Sequence, residues 1–88
     1  MDEHVMTYEG IGQAVAILAR ERLIDVRVEP KDVAEGLAIL DVKATTFLAE
    51  SRAKGDARTQ QEHDEAYLIA CFKLWIEGKV QLVETAEA

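Results

Sequence analysis

The sequence predicts an all-α domain of three helices, in which the second and third helices form a long antiparallel hairpin. Helix-favouring residues dominate the 88-residue chain, which contains five glycines and one proline. Between these breaks apolar side chains recur every three or four residues, and each segment begins or ends with a capping signal. Because there is no internal repeat, linker or low-complexity segment, we expect residues 1–88 to form one domain.

The first helix is predicted over about residues 7–23. Thr7 is a suitable N-cap, and Ile11, Val15 and Leu18 fall on one face of the helix. This face is predicted to pack against the hairpin.

The second helix is predicted over residues 30–54. Pro30 suits the first helical position, and Gly55 follows the last turn. Apolar and small residues step by four and three along one face, which is the spacing of a narrow helix-packing seam. These residues, called the inner seam below, are Val33, Leu37, Leu40, Ala44, Phe47 and Ser51.

The third helix is predicted over residues 59–78. Thr59 and Glu62 have the spacing of a capping box, in which each side chain accepts a hydrogen bond from the other residue's backbone N–H. Gly78 is the expected stop.

An α+β alternative stays open, because two short segments alternate apolar and polar residues as strands do. They lie near 24–28 and 79–83, on either side of the predicted hairpin. If both are extended, they could pair with each other.

The third helix is apolar nearly all the way round. Between Ala66 and Ile76 the only charged residue is Lys73, and only a strip of Ala66, Ala70, Lys73 and Glu77 is expected to face water. A short first helix cannot cover the rest, so we expect a homodimer or larger oligomer with this helix at its centre. The predicted self-association residues are Leu68, Ile69, Phe72, Trp75 and Ile76.

The charge balance disfavours nucleic acid and membrane surfaces as partners. Seventeen acidic and ten basic residues give a net charge of −7, which repels phosphates and anionic lipids. We expect instead a protein partner with a basic surface, bound by Asp32, Glu35, Asp41, Glu62, Asp64 and Glu65. The acidic first residues lack the pattern of a secretion signal, and the lone cysteine suits a reducing compartment, so the expected location is cytoplasmic.

No motif points to an enzyme, a metal site or a cofactor. His63 has no second ligand three or four residues away, and Cys71 lies in an apolar segment that predicts a core thiol. Ser51 has no persuasive His/Asp partners, and the glycine pair Gly10 and Gly12 lacks the rest of a phosphate loop.

These observations predict a non-enzymatic interaction module of the adaptor, chaperone, inhibitor or regulator type. The first alternative is a helix-turn-helix DNA-binding regulator formed by residues 32–54, with a turn at Ile39–Asp41 and Lys43, Thr45, Thr46 and Arg52 facing the groove. The second alternative is an acidic nucleic-acid mimic that inhibits a nucleic-acid-binding protein.

Overall fold

The computed structural model describes residues 5–25 and 32–84, and it confirms the three-helix fold, with a very short sheet added. The α2 and α3 helices make the most extensive contact in the fold. They run antiparallel, because one pair of contacting side chains joins Lys54 to Glu62 and another joins Asp41 to Lys73. The elements in chain order are β1 (Val5–Thr7), α1 (Tyr8–Arg20), α2 (Val33–Lys54), a 3-10 turn (Gly55–Ala57), α3 (Gln60–Ile76) and β2 (Gln81–Val83).

Helix α1 begins as predicted and ends earlier than predicted. The backbone N–H of Gly10 donates a 2.8 Å hydrogen bond to the Thr7 hydroxyl, which confirms Thr7 as the N-cap. The helix stops at Arg20, and Arg22 then adopts a left-handed conformation with φ of 62°. The N–H of Leu23 donates to the Leu18 carbonyl at 2.9 Å, so the end is a Schellman motif built without glycine.

Helix α2 is one continuous helix of 22 residues. Its N-cap is Asp32, whose carboxylate accepts a 2.7 Å hydrogen bond from the N–H of Glu35. The predicted start at Pro30 lies outside the described residues. Gly55 follows the last residue with φ of 56°, as the C-terminal signature predicted.

Helix α3 begins with the predicted capping box. The N–H of Glu62 donates to the Thr59 hydroxyl at 3.1 Å, and the N–H of Thr59 donates to the Glu62 carboxylate at 2.9 Å. The helix ends in a second Schellman motif, in which Gly78 has φ of 80° and Lys79 N–H donates to the Leu74 carbonyl at 2.8 Å. Gly78 is therefore the stop that the sequence predicted.

The two strands pair in parallel, and only one of them was predicted. Strand β2 lies within the predicted segment 79–83, but its partner is β1, in the register Val5 to Gln81, Met6 to Leu82 and Thr7 to Val83. The predicted partner segment 24–28 is not in the sheet where it is described: Ile24 and Asp25 form no strand, and residues 26–28 lie outside the described ranges. The pairing with β1 places Met6 in the core, with 2% of its surface exposed.

The core lies where α1, α3 and β1 meet the inner seam of α2. Fully or almost fully buried side chains include Met6, Leu18, Ala44, Ile69, Cys71 and Phe72. Leu40, Ala44 and Phe47 of the inner seam pack in this core and Ser51 is buried, as predicted, whereas Val33 at the start of the seam is 77% exposed. Each helix of the hairpin therefore packs one of its faces against the core.

Candidate functional site

The residues predicted for self-association on α3 lie mostly inside the chain's own core. Ile69 and Phe72 are completely buried, and Leu68, Trp75 and Ile76 are partly buried against the same cluster. The part of α3 that we expected a second chain to cover is covered by α1 and β1 of the same chain. Ile69 and Phe72 are therefore not on the surface of the folded protein.

The strip of α3 that was expected to face water is also placed differently. Ala66 is buried, whereas Tyr67, which lies outside the predicted strip, is 58% exposed. The ammonium group of Lys73 lies 3.0 Å from the Asp41 carboxylate on α2 and also contacts Glu77. The pKa of Lys73 is raised by the hydrogen bond to Glu77 and then by that to Asp41. Lys73 and Glu77 of this strip therefore form a cluster of ion pairs with Asp41 at the edge of the α2–α3 hairpin.

Two of the predicted partner-binding acids join helices within the chain. Glu65 accepts a bidentate pair from Arg20 of α1, at 2.8 and 2.9 Å, and this hydrogen bonding lowers the pKa of Glu65. Glu62 lies 2.6 Å from the ammonium of Lys54, and that hydrogen bond, with the one from Thr59 N–H, lowers the pKa of Glu62 to about 2. Both carboxylates thus hold the three helices in register.

The other four predicted acids are spread over different elements. Asp32 caps α2, and Asp41 pairs with Lys73. Asp64 accepts a 2.9 Å hydrogen bond from the Gln60 side chain, and Glu35 lies exposed in the first turn of α2. The structure therefore brings together no single acidic face from the six residues.

The residues considered for chemistry stand apart from one another. His63 is exposed near the start of α3, while Cys71 is buried in the core. Ser51 is buried and accepts a 3.4 Å hydrogen bond from Arg58. Within residues 5–25 and 32–84, no group of three or more His, Cys, Asp or Glu side chains could hold a metal ion.

A groove of about 430 Å³ lies between α1 and α3, open to solvent. Its polar rim already has partners, because Glu65 accepts from Gln61 at 3.2 Å as well as from Arg20. The groove is lined by Gln13, Ala16, Ile17, Gln61, Asp64, Glu65 and Leu68.

The continuity of α2 removes the structural basis of the helix-turn-helix alternative. The helix-turn-helix hypothesis requires a turn at Ile39–Asp41, but these residues lie within the continuous helix α2. The physical reason is the inner seam, which runs through the proposed break: Leu40 packs against the core there, and Ala44 is buried one turn later. Lys43, Thr45 and Thr46 accordingly belong to the same helix as the residues before them.

The side of α2 opposite the inner seam carries a second row with heptad spacing. The steps along it are three, four, three, four and three, and all six residues are exposed. We call this row the outer seam; its residues are Glu35, Ala38, Val42, Thr45, Ala49 and Arg52. Val42 is 62% exposed, and Ile39 beside the row is 44% exposed.

The middle of the outer seam is uncharged, and its hydroxyl groups are already bonded. The Thr45 hydroxyl donates to the Asp41 carbonyl at 3.0 Å, and the neighbouring Thr46 hydroxyl donates to the Val42 carbonyl at 3.1 Å. Since these groups need no further partner, covering this face would leave no threonine hydroxyl without a hydrogen bond. The spacing of the outer seam is present in the sequence, but it was not recognised there because the row has only one large apolar residue, Val42, and a charged residue at each end.

Comparison with known proteins adds no relative. No protein-family model, no curated protein and no solved structure matches this chain. Within the described ranges, no helix combines the length and the apolar character that crossing a bilayer requires. We therefore infer a function from the surfaces of the chain itself.

Proposed function

We propose that this protein is a non-enzymatic interaction module of the adaptor, chaperone, inhibitor or regulator type, that it self-associates, and that the outer seam of α2 makes the contact. The observation that carries the proposal is that the four middle residues of the outer seam, Ala38, Val42, Thr45 and Ala49, are exposed and uncharged. In this chain 31% of residues are charged, so an uncharged solvent-facing row over three turns is a departure from the rest of the surface.

Self-association is favoured because the core of the chain is small and the side of α2 that carries Val42 is exposed. A chain of this size buries only about 60 to 65% of the surface of its unfolded form, which leaves its stability marginal. Covering a side chain such as Val42 contributes on the order of 1.5 to 3 kcal/mol when burial is complete, and a symmetric pair contributes it twice. The contact therefore adds the apolar burial that the monomer lacks.

The acidic surface supports a second partner of opposite charge. With a net charge of −7, the module would attract a protein with a basic surface and repel nucleic acid. The proposal includes a cytoplasmic setting, which the presence of a lone cysteine supports.

The test is the mass in solution of the wild type and of Val42→Glu, by size-exclusion chromatography with light scattering across a concentration series. We expect the wild type near twice the 9.8 kDa chain mass. Val42→Glu should shift it to 9.8 kDa, because two carboxylates would be forced into the contact. The matched control is Val33→Glu, the same change at a residue of α2 that is 77% exposed and off the outer seam, which should leave the wild-type mass unchanged.

Circular dichroism on the same samples separates loss of contact from loss of fold. Val42→Glu should keep the wild-type helical signal, since the side chain is 62% exposed in the single chain. A wild type that stays at 9.8 kDa at all concentrations, or a Val42→Glu variant with unchanged mass, would reject the proposal.

A further inference from the structure

The spacing of the residues in the outer seam is the same when it is followed from either end of α2. Its steps of three, four, three, four and three residues are symmetric about the midpoint between Lys43 and Ala44. The side-chain sizes are symmetric as well, because a small residue, Ala38 or Ala49, flanks each side of the β-branched centre of Val42 and Thr45. A row of this kind can pack on a reversed copy of itself with every position matched.

We propose that the occupant of the outer seam is a second copy of the chain, packed antiparallel about a two-fold axis between Lys43 and Ala44. This inference rests on the proposed function and adds the direction of packing and the position of the two-fold axis. In this arrangement Ala38 faces Ala49 of the second copy, Val42 faces Thr45, and each contact occurs twice, as an isologous interface requires.

Charge complementarity supports the antiparallel direction. The N-terminal end of α2 carries Asp32 and Glu35. Its C-terminal end carries Arg52, on the outer seam, and Lys54, which is paired with Glu62 of the same chain. Antiparallel packing places each acidic end beside the basic end of the other copy, whereas parallel packing places like charges together. The opposed helix dipoles favour the same direction.

The shapes and remaining charges of α2 are compatible with close packing. Alanines at both ends of the uncharged middle of the seam let two helix backbones approach closely, and the threonine hydroxyls are bonded within the helix. Lys43 lies about 100° from Val42 and about 160° from Thr45 on the helix, whereas Asp41, four residues before Thr45, borders the seam and is held by Lys73. Neither charge lies on the seam itself.

The test uses two charge reversals, Glu35→Arg and Arg52→Glu, each alone and then mixed in equal amounts. Each single variant places like charges together at both ends of the pair, so we expect its dissociation constant to rise by about tenfold or more. In the mixture, one chain of each kind restores both opposite-charge contacts. We expect the mixed sample to form a heterodimer with affinity within about twofold of the wild type.

A matched control pair, Glu9→Arg and Arg22→Glu, applies the same charge changes at exposed positions of α1 or just after it. It should change the dissociation constant little, alone or mixed. Native mass spectrometry of isotope-labelled chains identifies the heterodimer directly, and light scattering gives the dissociation constants.

The outcomes separate this inference from the proposed function. Recovery on mixing the α2 variants, with no effect of the control pair, supports antiparallel pairing. If the wild type is dimeric and Val42→Glu is monomeric but mixing gives no recovery, the antiparallel arrangement is wrong while self-association through α2 stands. If the control pair weakens the dimer as much as the α2 variants do, net charge rather than pairing is responsible and the inference is overturned.

Discussion

At the scale of single residues, two glycines of α1 that look equivalent in the sequence have opposite roles. A Cβ atom at Gly10 would lie 2.9 Å from the Met6 sulfur and 3.0 Å from the Thr7 hydroxyl oxygen, closer than side chains tolerate. A Cβ atom at Gly12 would meet nothing within 4 Å. A side chain at position 10 would therefore be crowded by Met6 and Thr7, whereas position 12 has room for one. The sequence alone does not distinguish the two glycines, because only the folded chain brings Met6 against Gly10.

We predict that Gly10→Ala and Gly12→Ala shift thermal stability in opposite directions. Gly12→Ala should stabilise the protein by up to about 1 kcal/mol through helix propensity. Gly10→Ala should destabilise it by about 1 kcal/mol, since crowding of the buried Met6 side chain outweighs the same propensity gain. A shift of this size corresponds to roughly 4 to 8 °C in Tm for a domain of this length, and calorimetry of both variants measures it. Two variants with equal melting temperatures would contradict this account of Gly10.

At the scale of elements, the helix ends that have a standard capping residue were predictable, and the C-terminal end of α1, which has no glycine, was not. The N-caps Thr7 and Thr59, with the stops Gly55 and Gly78, were predicted correctly because each motif lies within a few residues of chain. The end of α1 was predicted too late, because Arg22 takes the left-handed position that usually holds glycine. No local signal distinguishes that arginine from one that continues a helix.

The Arg20–Glu65 pair that fastens α1 to α3 predicts a pH-dependent contribution to stability. Because the hydrogen bonds from Arg20 lower the pKa of Glu65 in the folded state, this contribution is fully present above the ordinary glutamate value of 4.5 and is lost as the pH falls through the folded pKa. Glu65→Gln should therefore cost about 1 kcal/mol at pH 7, with Arg20 half exposed, and progressively less below pH 4.5. Urea unfolding at a series of pH values measures this.

Glu50→Gln is the control for that measurement, because Glu50 is an exposed carboxylate of α2. It should follow the wild-type curve at every pH. A Glu65→Gln variant whose deficit stays constant from pH 7 to pH 3 would show that the loss is one of packing and not of charge.

At the scale of the whole molecule, the short sheet determines how far α3 is covered. Met6 of β1 is 2% exposed and belongs to the same core cluster as Leu18 and Phe72. We predict that Met6→Ala costs about 2 to 5 kcal/mol and lowers Tm for the helices and the tertiary signal together, because all three helices share this core. Tyr8→Ala, at a neighbouring residue that is 62% exposed, should change stability by no more than about 0.5 kcal/mol. Far- and near-ultraviolet circular dichroism measure both; a normal Tm for Met6→Ala would contradict the role of β1.

The sequence predicted the three helices, the core thiol of Cys71 and the inner seam, because each rests on periodicity within one element. It did not predict what covers α3, because a strand of three residues is too short to show alternation and its partner is far away in the sequence. The apolar circumference of α3 was correctly noticed, but its cover is provided by Met6 and α1 of the same chain. The exposed uncharged face lies instead on α2.

The pairing of β1 with β2 also sets an order of assembly. Val5 and Gln81 are partners across 81 − 5 = 76 positions of chain, whereas α2 and α3 are joined through a 3-10 turn of three residues. Contacts that close long loops cost more entropy and form late, so the hairpin should nucleate first and the sheet should close last. On the ribosome, β1 is made before β2 and cannot pair until β2 has emerged. Until then α3 lacks the cover that the sheet gives it, so a newly made chain is most exposed to unwanted association in the interval between the synthesis of α3 and the pairing of β1 with β2.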